Sequence, residues 1–158
     1  MQQIELNING RDYTLDVEDN ETLLTVLRER FDLTGAKPAC QTGDCGACKV
    51  IIDGIAENSC MKVAKKLAGK KIETIENLST PEKLHPLQQA FIETGAVQCG
   101  YCTPGMIMSG KALLDANPHP QDFEILEAID GNICRCTGYV KIVDAIKLAA
   151  DRMNGGEQ

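Results

Sequence analysis

The sequence predicts an α+β protein in two parts, a small mixed sheet with one helix followed by an all-helical half. Three observations carry this reading. Two strand pairs before residue 60 each turn on an Asn-Gly or Asp-Gly dipeptide, the strongest short hairpin signal. Beyond Leu84 the apolar residues recur only at helical spacing. Eight cysteines fall into two groups of four, one group in each part.

Residues 3–8 alternate as Gln3, Ile4, Glu5, Leu6, Asn7 and Ile8, the period of a half-buried strand. Asn9-Gly10 turns the chain, and Tyr13, Leu15 and Val17 alternate on the return. Asp19 or Asn20 is placed to cap a helix with Leu23, Leu24, Leu27 and Phe31 on its face, closed by Gly35. A loop over 36–46 carries Gly43 and Gly46 among cysteines. The run Cys48–Ile52, the turn Asp53-Gly54 and the run Ile55–Asn58 form a second hairpin, followed by a short helix over 61–67 and a last strand over 71–75. Residues 1–76 make the first domain. A linker over 77–83, punctuated by Pro81, shows no periodicity.

The second domain spans 84–158. Leu84, Leu87, Phe91 and Ile92 mark a helix closed at Gly95. Thr103-Pro104 reads as an N-cap before a proline in the first turn, opening a helix to about Asn117. Pro118-His119-Pro120 breaks the chain. Asp122 is placed to cap a third helix with Ile125, Leu126 and Ile129 on one face and Gly131 beyond its end. The fourth, 140–153, aligns Val143, Ile146, Ala150 and Met153, and the tail 154–158 is expected to fray.

The chain has 158 residues, enough for one ordinary domain or two small ones. Sixteen Lys and Arg against 23 Asp and Glu give a net charge of −7, which disfavours a nucleic-acid partner. Charges interrupt every apolar stretch, so no membrane insertion is expected. The N-terminus lacks the basic and apolar regions of a secretory signal, and a reducing cytoplasm is the expected compartment. In that compartment, clustered cysteines read as metal ligands before they read as disulfides.

Cys40-x4-Cys45-x2-Cys48, with Cys60 after eleven intervening residues, has the spacing of a plant-type 2Fe–2S site. Gly43 and Gly46 permit a loop that bends around a cluster and aims backbone N–H groups at its sulfurs. With the hairpin turn centred between Asp53 and Gly54, residue 47 opposes residue 60, which returns Cys60 beside Cys48. A zinc ribbon or plain structural thiols are the alternatives, but zinc knuckles present two Cys-x2-Cys pairs. The second group, Cys99-x2-Cys102 and Cys134-x-Cys136, lies before two expected helix starts. Unpaired N–H groups there favour thiolates and an anionic cluster. A four-cysteine zinc site could use the same pattern.

The segments Ala96-Val97-Gln98-Cys99-Gly100-Tyr101-Cys102-Thr103-Pro104-Gly105-Met106 and Gly131-Asn132-Ile133-Cys134-Arg135-Cys136-Thr137-Gly138-Tyr139 resemble the two signatures of one family. It is the small two-cluster iron–sulfur subunit of the molybdenum hydroxylases, the xanthine dehydrogenase and aldehyde oxidoreductase group. The resemblance runs from the first strand to the last helix. It implies a plant-type ferredoxin-like (β-grasp) domain followed by an all-α four-helix 2Fe–2S domain, with all eight cysteines as ligands. It implies an oxidoreductase subunit whose substrate chemistry sits in a partner chain. A large subunit would hold molybdopterin, commonly as the cytosine dinucleotide, and a medium subunit FAD. Electrons would pass from molybdenum to the helical-domain cluster, then to the ferredoxin-domain cluster, then to FAD or another acceptor. Gln98 would hydrogen-bond the pterin, and Cys136 would be the ligand nearest to it. A reductase of the hydroxybenzoyl-CoA reductase kind and a free-standing two-cluster carrier are the alternatives. Ala39, Asp44 and Lys49 depart from the glycine, glutamate and threonine usual in the family, positions where charge and hydrogen bonding bear on potential.

Other residues read more plainly. His85 and His119 stand beside prolines as turn or surface histidines. Lys62, Lys65, Lys66, Lys70 and Lys71 form a basic run, either a solvated face or part of a docking surface. Met106, Ile107 and Met108 are expected in the core. Arg135 would pair either with cluster charge or with a partner. No nucleophile–base pair or phosphate loop is present.

Overall fold

The computed structural model describes residues 1–155. Five strands form one mixed sheet: β1 (Gln2–Ile8), β2 (Arg11–Val17), β3 (Lys49–Ile52), β4 (Ile55–Asn58) and β5 (Lys71–Glu73), in the order β2-β1-β5-β3-β4. Both hairpins turn where the dipeptides require it. Asn9 and Gly10 take φ of 52° and 81°, and Asp53 and Gly54 take 47° and 86°, the positive pair a two-residue primed turn demands. β1 and β5 run parallel, and the other pairings are antiparallel. Alternation in β1 buries Ile4, Leu6 and Ile8 against Leu23, Leu27, Val50 and Ile72.

The first helix differs from expectation. Thr22, rather than Asp19 or Asn20, caps it, accepting from the Thr25 N–H at 3.2 Å. Glu21 is drawn away into an ion pair with Arg30 and a contact with the Glu18 N–H. α1 (Leu23–Thr25) is a single turn that widens into a π-helical segment over Val26–Arg30. The helix expected over 61–67 is two 3₁₀ turns, Ser59–Met61 and Ala64–Leu67. Between them Val63 bridges to Thr22: the Leu23 N–H donates to Lys62 O and the Ala64 N–H to Glu21 O. β5 stops at Glu73, short of residue 75, because the Thr74 N–H donates to the Asn9 side chain instead of a strand.

Four helices follow: α2 (Pro86–Glu93), α3 (Thr103–Ala116), α4 (Asp122–Ile129) and α5 (Val140–Met153). α2 begins after Leu84, which is exposed. His85 caps it, Nδ1 accepting from the Leu87 N–H at 3.1 Å while the His85 N–H donates to Gln88. In α3, Cys102 is the flanking residue and Thr103 the first helical one, because Cys102 O already accepts from the Met106 N–H. Gln121 flanks α4, its N–H taken by Glu124, and Leu126 faces outward instead of joining Ile125 and Ile129 in the core.

α5 also turns a different stripe inward: Ile142, Ala145, Ile146, Ala149 and Ala150 are buried, while Val143 is partly covered and Met153 is exposed. Small alanines let α2 pack closely against it. Asn154 is tied to Pro118 O and Ala150 O rather than frayed. Residues 156–158 of the expected frayed tail lie outside the described residues.

A second core, Leu87, Phe91, Met106, Ile107, Ile125, Ile142 and Ile146, fills the helical half. Met108 is fully buried too. Truncating Phe91, almost wholly buried, to alanine would cost about 3–5 kcal/mol. The halves meet where α3 lies across β3. A Cβ on Gly105 would stand 2.2 Å from Gly46 O, so only glycine permits this approach. Among the described residues, no helix is long and apolar enough to cross a membrane.

Candidate iron–sulfur centres

The first cysteine loop is a closed lasso. The Lys37 N–H donates to Ala47 O at its base, and Gln41, Gly43 and Gly46 take φ of 56°, 88° and 72° around the bend. That path turns amides inward. The Thr42 and Cys45 N–H groups each point at Cys40 Sγ from 3.4 Å, and the Ala47 N–H at Cys45 Sγ from 3.5 Å. The Thr42 side chain and these amides stabilise the Cys40 thiolate and bring its pKa down to about 5.

β3 and β4 deliver the fourth thiol. Lys49 opposes Asn58, and continuing this register sets residue 47 against residue 60, as the sequence predicted. Both the Ser59 N–H and the Ser59 hydroxyl donate to Cys48 O, fixing the strand end that carries Cys60. The Asn58 amide donates to Gly43 O and braces the lasso. Burial first, then the adjacent Cys48 thiol, pushes Cys60 up to about 11. The four thiols thus stand as two touching pairs, Cys40 with Cys45 and Cys48 with Cys60.

The second group is assembled from separate places. Gly100 at φ 83° lets the Tyr101 N–H point at Cys99 Sγ from 3.5 Å. Around the other pair, Gly138 and Tyr139 both take positive φ. Thr137 donates its hydroxyl to Cys134 Sγ at 3.1 Å and accepts from the Tyr139 N–H, and the Cys134 N–H donates to Tyr139 Oη. Burial of Cys134 favours its neutral thiol, but the Thr137 hydroxyl and the Cys136 and Thr137 amides outweigh it and lower the pKa. Burial, then Cys134 beside it, pushes Cys102 up to about 12. Cys102 pairs with Cys134, and Cys136 with Cys99.

These pairs are the test of fit for a cluster. A binuclear centre binds two thiolates on each iron and draws stability from N–H groups aimed at sulfur. Both groups offer that arrangement. Among the described residues no three His, Cys, Asp or Glu side chains are grouped so as to hold a single ion. Within these groups a neighbouring cysteine holds the thiols of Cys60, Cys102 and Cys136 in the neutral form, and metal binding, which needs thiolates, would displace those protons.

Gln98 is exposed and directly precedes the exposed Cys99, which touches Cys136. This edge of the second group opens to solvent, whereas Cys134 is buried on the inner side. The two groups are joined through backbone: the Ile133 N–H donates to Cys45 O at 2.9 Å, linking the residue before Cys134 to a cysteine of the first group. Beside that link, Asn132 is buried with its amide on Ser109 and its Oδ1 unpartnered. Arg135 is exposed. Ion pairs to Glu57, Asp19 and Asp53 hold Lys62, Lys65 and Lys70 on the surface. Lys37, Thr137 and Tyr139 carry no role that the sequence alone assigns; their nearness to cysteine positions is the one signal it offers.

Known proteins agree with this geometry. A family described as 2Fe-2S iron-sulfur cluster binding domain matches residues 6–75, and one described as [2Fe-2S] binding domain matches residues 74–147. The chain is 50% identical over 149 residues to the nicotinate dehydrogenase small FeS subunit of Eubacterium barkeri, covering 94% of this chain and 95% of that one. It is 47% identical over 144 residues to the nicotine 6-hydroxylase small subunit of Paenarthrobacter nicotinovorans, covering 91% of this chain and 87% of that one. The solved aldehyde oxidoreductase from Desulfovibrio gigas superposes with a TM-score of 0.95 at 43% identity; 99% of this chain corresponds to 18% of that much longer one. The same fold thus occurs as a separate subunit and as one segment of a larger enzyme. The chain belongs to the iron–sulfur subunits of the molybdenum hydroxylases, the electron-transfer component of a larger oxidoreductase.

Proposed function

We propose that Cys40, Cys45, Cys48 and Cys60 hold one 2Fe–2S cluster, and Cys99, Cys102, Cys134 and Cys136 the other. The first sits in a β-grasp domain over residues 1–76; a connector over 77–83 leads to a four-helix domain from residue 84. Bound clusters supply one-electron uptake and release. The work of this chain is to hold thiolates in pairs, aim N–H groups at them, and keep the two loops in register through the Ile133–Cys45 hydrogen bond.

The observation that carries the reading is the asymmetry of the second group: Cys99 and Cys136 are exposed beside Gln98, while Cys134 is buried towards the first group. The exposed edge fits a large partner subunit carrying molybdopterin, in the cytosine dinucleotide form, with Gln98 donating to or accepting from the pterin and Cys136 nearest to it. A medium FAD-bearing subunit receives electrons from the first domain, in the cytoplasm, where thiols stay reduced.

The test is Gln98→Ala in the assembled complex. It removes one neutral hydrogen-bonding group, worth about 0.5–1.5 kcal/mol net. Molybdenum retention and substrate-driven cluster bleaching in stopped flow should fall, while iron content and dithionite-driven bleaching stay at wild-type levels. Unchanged molybdenum content together with unchanged substrate-driven reduction would remove the pterin from beside Gln98 and Cys136.

A further inference from the structure

Just before the first cysteine, residues 34–38 form a strap that is tied down from several sides. Arg28 donates to the carbonyls of Thr34 and Ala36 at 2.8 and 2.9 Å, and the Gly35 N–H donates to Glu76 at 2.7 Å. The Lys37 N–H donates to Ala47 O, which fixes where its side chain begins. The side chain reaches back to Gly35 O at 3.4 Å. Its ammonium stands 5.4 Å from the ring centre of Tyr101, the residue between Cys99 and Cys102 in the other half of the molecule. Tyr101 in turn donates its hydroxyl to Pro38 O at 2.8 Å, so strap and ligand loop grip one another from both sides.

We propose that Lys37 is a positioning charge for the helical-half cluster: its ammonium, held over Tyr101, raises the reduction potential of the centre bound by Cys99, Cys102, Cys134 and Cys136. The proposal rests on the ligand assignment above. One-electron reduction takes a centre with two ferric ions to one ferric and one ferrous, and adds one negative charge without requiring a proton. A fixed cation nearby stabilises the more negative state more than the oxidised one, and partial burial weakens the screening that would otherwise cancel it. Lys37 is half-buried. Burial and Arg28 lower its pKa, while Glu76, Cys102 and Cys99 pull it back up, so the charges facing it include the second cysteine group itself. The Tyr101 ring adds a cation–π contact, which holds the ammonium in place without neutralising it. The sheet half thereby lends a charge to the helical half, and makes that centre the readier acceptor for an electron arriving from the partner subunit.

The experiment is a redox titration of the holo complex with dithionite, followed by electron paramagnetic resonance. The two cluster signals are assigned beforehand with Cys45→Ser and Cys102→Ser. Lys37→Met keeps most of the apolar stem and removes the charge; Lys37→Arg keeps the charge. The expected result is a midpoint shifted to more negative potential in Lys37→Met for the helical-half signal, a smaller shift for the other signal, and near wild-type values in Lys37→Arg. No shift, an equal shift in both signals, or an arginine variant that behaves like methionine would overturn the proposal. A wild-type complex with a single cluster signal would instead overturn the ligand assignment beneath it.

Discussion

The two cysteine groups reach the same paired arrangement by different routes. In the first, three cysteines lie within nine residues of one lasso, and the fourth arrives on the neighbouring hairpin. The surrounding core of Ile4, Leu6, Val50 and Ile72 comes from strands joined to one another by backbone pairing. In the second, Cys99 and Cys102 precede α3 while Cys134 and Cys136 precede α5, with α4 between them. Nothing but tertiary packing and the cluster itself brings these ends together. Ligation should therefore matter more to folding in the helical half, where it closes the longer loop.

The largest expected effect separates the halves directly. Cys102→Ser should lose the helical-half cluster and lower the melting temperature of that half, leaving the spectrum of the first cluster mostly intact. Iron should fall from about four to about two per chain, as expected for binuclear centres. Cys45→Ser should lose the same amount of iron with a smaller fall in melting temperature. Iron and sulfide analysis beside thermal melts checks both. Equal loss of both clusters from either variant, with no change in melting, would erase the contrast.

How legible each half was follows from the same contrast. The placement of the first group could be read residue by residue, because its cysteines are set by local spacing and by a hairpin register that Asp53-Gly54 dictates. The second group could be read only as positions before helix starts, and its link to the first, Ile133 to Cys45, involves backbone that carries no residue signature. The errors have local causes. Asp19, an expected cap, is held instead by Lys65, and Thr22 caps the helix. The stripe of α5 was read only in part: Ile146 and Ala150 are buried as expected, but Ala145 and Ala149 were missed because their value is closeness to α2 rather than apolar size. His85 read as a turn residue, and its capping role needed the geometry of its ring nitrogen.

The next test acts where the halves touch. Gly105→Ala sets a Cβ 2.2 Å from Gly46 O, a backbone atom that cannot swing aside. Overpacking of this kind costs about 1–3 kcal/mol. The expected outcome is lower stability with both clusters still assembled, and altered magnetic coupling between them, because the contact lies beside the Cys45–Ile133 link. Unchanged melting and unchanged coupling would show that the two halves are spaced by something other than this contact.

A smaller effect is expected from the hydroxyl on Cys134. Thr137→Val removes the donor 3.1 Å from that sulfur and the acceptor for the Tyr139 N–H. Hydrogen bonds to ligand sulfurs favour the reduced cluster, so the helical-half midpoint should move to more negative potential, and Thr137→Ser should restore it. The first-group signal serves as the internal control. A midpoint that stays put in Thr137→Val would assign the Thr137 hydroxyl to loop geometry alone.

The smallest contrast is in pH response. Both histidines lie in the helical half, and none in the sheet half. His85 Nδ1 caps α2 only while unprotonated, since it must accept the Leu87 N–H. Burial, and then the Lys111 ammonium, lower its pKa from the ordinary 6.5, with Asp115 opposing. The folded protein therefore binds this proton more weakly than the unfolded chain does. The stabilisation is fully present above the unfolded value and is lost as pH falls from there through the lowered folded value. His85→Ala should cost about 0.5–2 kcal/mol at pH near 8, the ordinary loss of a cap. His85→Asn keeps an acceptor that does not titrate. The measurement is the melting temperature of the helical half for wild type minus that of His85→Asn, taken from about pH 8 to about pH 5.5. Acid sensitivity of the clusters is common to both proteins and cancels in the difference. The difference should be constant above the unfolded histidine pKa and turn against wild type below it. A difference that stayed flat across the whole range would mean that the imidazole caps α2 no better neutral than charged.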